Sequence, residues 1–152
     1  MYVYRISKSE ERALDISGTG AFLYGGRWNS PGTHMLYTSV NSSLAYLENL
    51  VHLSEFNTPP ALYMTQLDVD ESLIYDVPDG SYPKFWREYE DIETQVTGDN
   101  WMNDQLYLGF KVKSSVNPLE YNYLLNPLCP GFNNLVKIKS ISLLNIDMRL
   151  LK

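Results

Sequence analysis

Two periods of apolar and polar residues run along this chain. Residues 2 to 6, YVYRI, alternate with a period of two and predict an opening strand, and SEERAL after it predicts a short helical turn or a loop. Segment 17 to 33 is thick with Gly, Ser, Thr and Pro, the composition of an irregular loop. HMLYTS, 34 to 39, predicts a short strand. Asn41, Ser42 or Ser43 can then cap a helix running through LAYLENLVHLSEF, which NTPP closes because proline cannot continue a helix interior. ALYMTQLDV and SLIYDV predict two strands, the second ended by the turn PDG. YPKFWREYEDIETQ and the residues through NDQ predict helix with a break near Thr97 to Asp99, and LYLGFKV, NYLLN and LVKIKSISLLNID supply three further strands. Strands interspersed with two or three helices predict an α+β fold, helices packed on a mixed or antiparallel sheet, in one domain over 1–152.

Against that pattern, a few polar residues stand where carbon is expected. On the helix after Asn41, Leu44, Leu47 and Val51 predict the core-facing stripe, and Glu48 falls inside it. An ionised carboxylate there needs a partner or a wet cleft. The ordinary alternative puts Glu48 at the edge of the stripe, pairing with His52 one turn on. On the later strand, Leu106, Leu108, Phe110 and Val112 share a face by the period of two, and Ser114 is the next residue on it. Arg5 shares the face of Val3, away from Tyr2 and Tyr4. An ordinary strand-end serine and a solvated arginine account equally well for these two positions. Arg27 sits in GGRWNSPG, where glycines let a ligand approach the backbone and a guanidinium fork matches phosphate oxygens two at a time, with Trp28 placed to buttress the loop. An exposed turn carrying an arginine fits the loop by itself just as well.

Charge and composition narrow the function classes. Lys and Arg number 12 against 18 Asp and Glu, a net charge of -6, so no positive field draws the chain onto a phosphate backbone, while a local basic pocket for a small anion is still allowed. Cys129 is the single cysteine, which excludes an internal disulfide and a cysteine zinc cluster. The opening MYVYRISKSEER has no apolar stretch of a signal peptide, and no run approaches the roughly 18 apolar residues of a membrane helix. The expectation is a soluble, cytoplasmic protein bound neither to membrane nor directly to nucleic acid. SGTGAFLYGG lacks the spacing of a P-loop or dinucleotide fingerprint, and DVDESLIYDVPD lacks the glycine and the final glutamate of a calcium loop. His34 and His52 have no companions at zinc-protease spacing, and EYEDIETQVTGD predicts a solvated acidic helix face.

Taken together, YR at 4 to 5, GTGAFLYGGRWNSPGTHMLYTS, SLAYLENLVHL, TGDNW, KSSVNPLEYNYLLNP and IDMRL resemble the RES domain, a family of bacterial toxins of toxin-antitoxin pairs named for its Arg, Glu and Ser. Tyr37 follows Arg27 by ten residues and Glu48 follows Tyr37 by eleven, a specific spacing, and the match spans nearly the whole chain. Two positions depart from the family's pattern: Lys113 stands where a proline commonly precedes the serine, and Cys129 where a histidine is frequent.

The resemblance implies an ADP-ribosyltransferase-like fold with NAD as substrate and no metal. Carried over position by position, it assigns Arg5 and Arg27 to the pyrophosphate, Tyr37 to stacking on the nicotinamide, Glu48 to the ribose hydroxyls and the developing positive charge, and Ser114 to positioning the ribose or Glu48. Water, inorganic phosphate and a side chain of a target protein all stay open as the ADP-ribosyl acceptor. The resemblance further implies an Xre-type antitoxin as partner. Two rival readings are a noncatalytic module that binds a nucleotide or sugar, and a glycosidase pairing Glu48 with Glu120 or Asp99.

Overall fold

The alternation at the start of the chain forms strand β1 (Tyr2–Ser7), and the short polar segment after it forms helix α1 (Glu10–Leu14), capped by the Ser9 side chain on the Arg12 amide. The computed structural model describes residues 1–54 and 56–151, so Glu55, inside the predicted stretch LAYLENLVHLSEF, and Lys152 lie outside the described residues. Helix α2 (Thr19–Tyr24), strand β2 (Leu36–Ser39), helix α3 (Ser42–Leu50), strands β3 (Leu62–Val69) and β4 (Ile74–Asp76), helix α4 (Ile92–Asp104), strands β5 (Gly109–Lys113) and β6 (Tyr121–Leu125), helix α5 (Phe132–Leu135) and strand β7 (Val136–Leu144) follow. The strands form one seven-stranded sheet in the order β4-β5-β6-β2-β1-β3-β7. Only β4 and β5 pair in parallel, which makes the sheet mixed and the fold α+β, as the sequence predicts.

The sheet is weakest at its middle. β1 pairs with β3 over the whole run from Tyr2↔Asp68 to Ser7↔Tyr63, and β2 pairs with β6 from Leu36↔Leu125 to Ser39↔Asn122. Between β1 and β2, however, the register holds a single pair, Tyr4↔Ser39. The two halves therefore splay apart beyond that point, and the gap between them is where a ligand can enter.

Each face of the sheet has its own core. Val3, Leu36, Leu67, Val69, Leu125 and Val136 form an aliphatic cluster on one side. Opposite it, Trp28, Met35, Met102, Phe110, Val112 and Leu124 form a cluster rich in rings. Trp28 is 2% exposed and stacks on Trp101 at 5.2 Å between centroids, and Trp101 in turn stacks on Phe110 at 4.8 Å.

Five expectations need correcting. Segment 17 to 33 is not wholly irregular, since α2 forms inside it between two glycines of positive φ, Gly18 and Gly25. Residues 82 to 90 do not form a helix: they run in turns, with Glu90 at φ 58, because the carbonyls a helix would use internally accept from a side chain elsewhere. α4 runs unbroken through Thr97 to Asp99, as Gly98 lets the helix meet the Trp28 backbone so closely that a Cβ there would collide with the Trp28 carbonyl oxygen. Of the stripe predicted on α3, Leu44 is buried but Leu47 and Val51 are exposed and Ala45 is buried in their place; and Leu106 lies outside β5 and is exposed. Rotating the stripe in this way turns Glu48, one turn beyond Leu44 and Ala45, toward the sheet.

Candidate active site

The gap between the two halves of the sheet is a cleft of about 800 Å³ whose lining includes Arg5, Arg27, Tyr37, Glu48 and Asn122. Ser114 lies beside it, fully buried, joined to Glu48. All five residues assigned from the sequence thus converge here, from β1, the loop before β2, β2 itself, α3 and the end of β5.

Glu48 is anchored through one oxygen. Its Oε1 accepts from Ser114 Oγ at 2.6 Å and from Asn122 Nδ2 at 2.6 Å, and among the described residues Oε2 has no hydrogen-bond partner. Ser114 Oγ itself accepts from the amides of Val116 and Asn117, at 3.1 and 2.9 Å, so its proton is left to donate to Glu48. Neutral donors hold the carboxylate without cancelling its charge. No ion pair joins it to His52 among the described residues, and the ordinary edge pairing is not what the helix does.

The arginine side is built differently. Arg27 Nη1 donates to the carbonyls of Trp86, at 3.1 Å, and Glu88, at 2.9 Å, which hold the guanidinium from the loop between β4 and α4. Trp28 buttresses the same loop, packing on Trp86 and Tyr82 as well as Trp101. Asn29, wholly buried, ties the turn together: its Nδ2 reaches the carbonyls of Ala21, Ser30 and Thr33, and its Oδ1 accepts from the Tyr37 hydroxyl at 2.8 Å. The Tyr37 hydroxyl also accepts from the Trp28 amide at 3.0 Å, so both its roles are taken and burial pushes its pKa well up. What Tyr37 offers a ligand is its ring. Gly26 makes room for that ring, since a Cβ there would lie 2.6 Å from the Tyr37 oxygen.

Arg5 lies on the face of Val3, as the alternation predicts, and its Nη1 donates to the carbonyls of Arg12, at 3.0 Å, and Asp15, at 2.7 Å. Burial lowers its pKa, and the neighbouring Asp15 charge opposes that effect. Arg87 is a third cleft arginine, held by the Ser115 carbonyl at 3.2 Å. Sequence reading missed it because it was placed on a helix that does not form. Three arginines against Glu48 give the cleft a positive balance inside an acidic protein. Lys113 also lines the cleft but pairs with Asp79 at 2.8 Å.

Neither carboxylate proposed as a glycosidase partner reaches the cleft. Glu120 accepts from Asn41 Nδ2, and Asp99 caps the Ser30 amide and hydroxyl, so it faces inward rather than lying on a solvated acidic face. The departure at Lys113 has a physical reason. Its backbone N–H donates to the Tyr82 hydroxyl at 2.8 Å, a bond a proline could not make. Among the described residues, no helix is long and apolar enough to cross a membrane.

A family model, the RES domain, matches residues 2–147. The chain belongs to the RES domain family. Similar proteins include "Toxin Res" of Yersinia enterocolitica, 35% identical over 87% of this chain and 88% of its own length, and "Toxin Res" of Photorhabdus laumondii, 31% identical over 100% and 98%. "Prs ADP-ribosylating toxin" of a Sphingobium species is 28% identical over 92% of this RES domain and 89% of its own length. Among solved structures, a chain of the M. tuberculosis MbcT-MbcA toxin-antitoxin complex shares the fold, with a TM-score of 0.70 at 18% identity, covering 94% of this chain and 83% of that one.

Proposed function

We propose that this RES domain is the toxin of a toxin-antitoxin pair and cleaves NAD at the bond between nicotinamide and ribose. The observation that carries the reading is the pairing, in one cleft, of an oriented and uncancelled carboxylate with a surplus of arginines. Breaking that bond passes through an oxocarbenium-like state, so the site must offer negative charge to the sugar while gripping the pyrophosphate elsewhere. Glu48 holds the ribose hydroxyls and offsets the developing charge. Arg5 and Arg27 bind the pyrophosphate, each with Nη1 fixed by carbonyls and, among the described residues, no partner on its other nitrogens. The Tyr37 ring stacks on the nicotinamide, which leaves as a neutral molecule and needs no separate strong acid. Ser114 positions Glu48.

Relatives named as toxins, one of them ADP-ribosylating, support NAD as the substrate, and the shared fold with a chain of a toxin-antitoxin complex supports an antitoxin partner, taken here as Xre-type. The single domain extends over 1–152, and the protein acts in the cytoplasm, where NAD is present. The test is incubation of purified protein with NAD, with and without phosphate, followed by product identification. Free nicotinamide is expected in both. ADP-ribose, an ADP-ribose phosphate ester, or a labelled protein then identifies water, phosphate or a side chain as acceptor. Intact NAD after prolonged incubation sinks the enzymatic reading in favour of a binding module.

A further inference from the structure

We propose that Asn122 is a positioning residue for the reaction at Glu48, and that Ser39 fixes the direction in which it acts; the inference rests on the NAD-cleaving reading above. An asparagine side chain has a donor end and an acceptor end, whereas an ionised carboxylate only accepts. Glu48 can therefore be held by Asn122 in one amide orientation, and the flipped one would set oxygen against oxygen. Ser39 decides between them. Its hydroxyl donates to Asn122 Oδ1 at 2.8 Å, which places Nδ2 against Glu48 Oε1 at 2.6 Å.

Strand register builds this relay. Ser39 on β2 lies opposite Asn122 on β6, which lies opposite Val112 on β5, so the three share the face over which α3 brings Glu48. Ser39 is 4% exposed, too buried for its hydroxyl to be a surface ornament. Ser114 approaches Oε1 from the end of β5 while Asn122 approaches from β6, and two donors on one oxygen fix the plane of the carboxyl group and the place of Oε2. Nothing in the sequence marks Asn122, which sits between two tyrosines of an ordinary strand.

The decisive variant is Asn122→Asp, which keeps the shape and changes only the end facing Glu48. While the two carboxyl groups share one proton, the new O–H donates to Oε1 as the amide did and the other oxygen still accepts from Ser39. Once that proton leaves, two like charges face each other and the geometry is lost. The variant's kcat should therefore stay near the parental value at the acid end and fall by about tenfold or more as pH rises through the neutral range, with KM for NAD little changed. The amide of the parental protein cannot titrate, so it has no such limb. Arg5, Arg27, Tyr37, His52, Arg87 and Lys113, the other ionisable groups of the cleft besides Tyr4 and Tyr89, are common to both proteins and drop out of the ratio of the two profiles. Ser39→Ala, which frees the acceptor end of the amide, should lower kcat about three- to tenfold at unchanged KM.

A profile that parallels the parental one, whether at full activity or uniformly reduced, overturns the proposal, as does an effect confined to KM. Should Asn122→Asp fail to fold, full activity in Ser39→Ala overturns it and the predicted loss sustains it. An independent readout is the carboxyl 13C signal of Glu48, assigned by its disappearance in Glu48→Gln. In Asn122→Asp it should move in the neutral range together with the fall in kcat. That signal responds whether or not NAD is the substrate, so an inactive parental protein defeats the NAD reading alone, and an uncoupled Glu48 signal defeats this inference alone.

Discussion

On one wall of the cleft a carboxylate, Glu48, is held by the side chains of Ser114 and Asn122; on the other a guanidinium, Arg27, is held by the backbone carbonyls of Trp86 and Glu88. Both charges are oriented by neutral partners, so each keeps its full charge for a ligand. Their supports differ in kind. The carboxylate wall stands on regular elements, α3, β5 and β6, whose strand register puts the donors in reach. The arginine wall stands on loops, and those loops are fixed by a stack of rings around Trp28 and by the knot at Asn29. Damage to the first wall should therefore stop chemistry in a folded protein, while damage to the second should first cost stability and binding.

The largest effect falls on the loop wall. Trp28→Ala empties the centre of the aromatic cluster and should cost about 3–5 kcal/mol, a large share of the stability of a typical domain, measured by denaturant unfolding. A loss below about 1 kcal/mol would show that the rings do not carry that wall. Next comes Glu48→Gln, whose amide oxygen can still accept from Ser114 and Asn122. It should reduce NAD cleavage by about 10²–10³-fold while leaving the melting temperature and NAD affinity close to parental values. Parental turnover in that variant would break the comparison outright. Arg27→Ala should weaken NAD binding by about 1.5–3 kcal/mol in calorimetry, with a smaller effect on kcat for bound NAD. If instead it destabilises the fold without touching affinity, its bonds to Trp86 and Glu88 are structural and nothing more. Smallest is Asn41→Ala, which removes the cap of α3 on the Leu44 amide at 2.8 Å and should cost about 1 kcal/mol of unfolding free energy. Because α3 carries Glu48, a companion drop in kcat at unchanged KM would sharpen the picture of a wall set by regular elements.

Regular elements were easiest to read from the sequence, and with them Glu48 and Ser114 on the wall they build, though not Asn122. The alternation in YVYRI and LYLGFKV placed β1 and β5, and through them Arg5 and Ser114. A carboxylate inside an apolar stripe pointed to Glu48, although the stripe itself was rotated: Leu44 is buried as predicted, but Ala45 is buried beside it in place of Leu47 and Val51. The helix predicted over 82 to 90 failed for the opposite reason. Its local pattern is helical, but Trp86 and Tyr82 pack on Trp28 and two of its carbonyls serve Arg27, partners far away along the chain. Arg87 was lost with that helix. Gly98 reads as a break only until the Trp28 backbone is seen pressed against it.

By itself the sequence determined the seven strands and the helix after Asn41, that the fold is α+β, and which unusual polar residues the chain carries, because periodicity and capping act between near neighbours. Tertiary structure alone decided that β1 and β2 part after one register pair, that three arginines and one carboxylate meet in the gap, and that Ser39 turns Asn122 toward Glu48. Those facts depend on groups tens of residues apart in sequence being brought side by side, the hydrogen-bonded ones to within about 3 Å, and no local pattern encodes that arrangement.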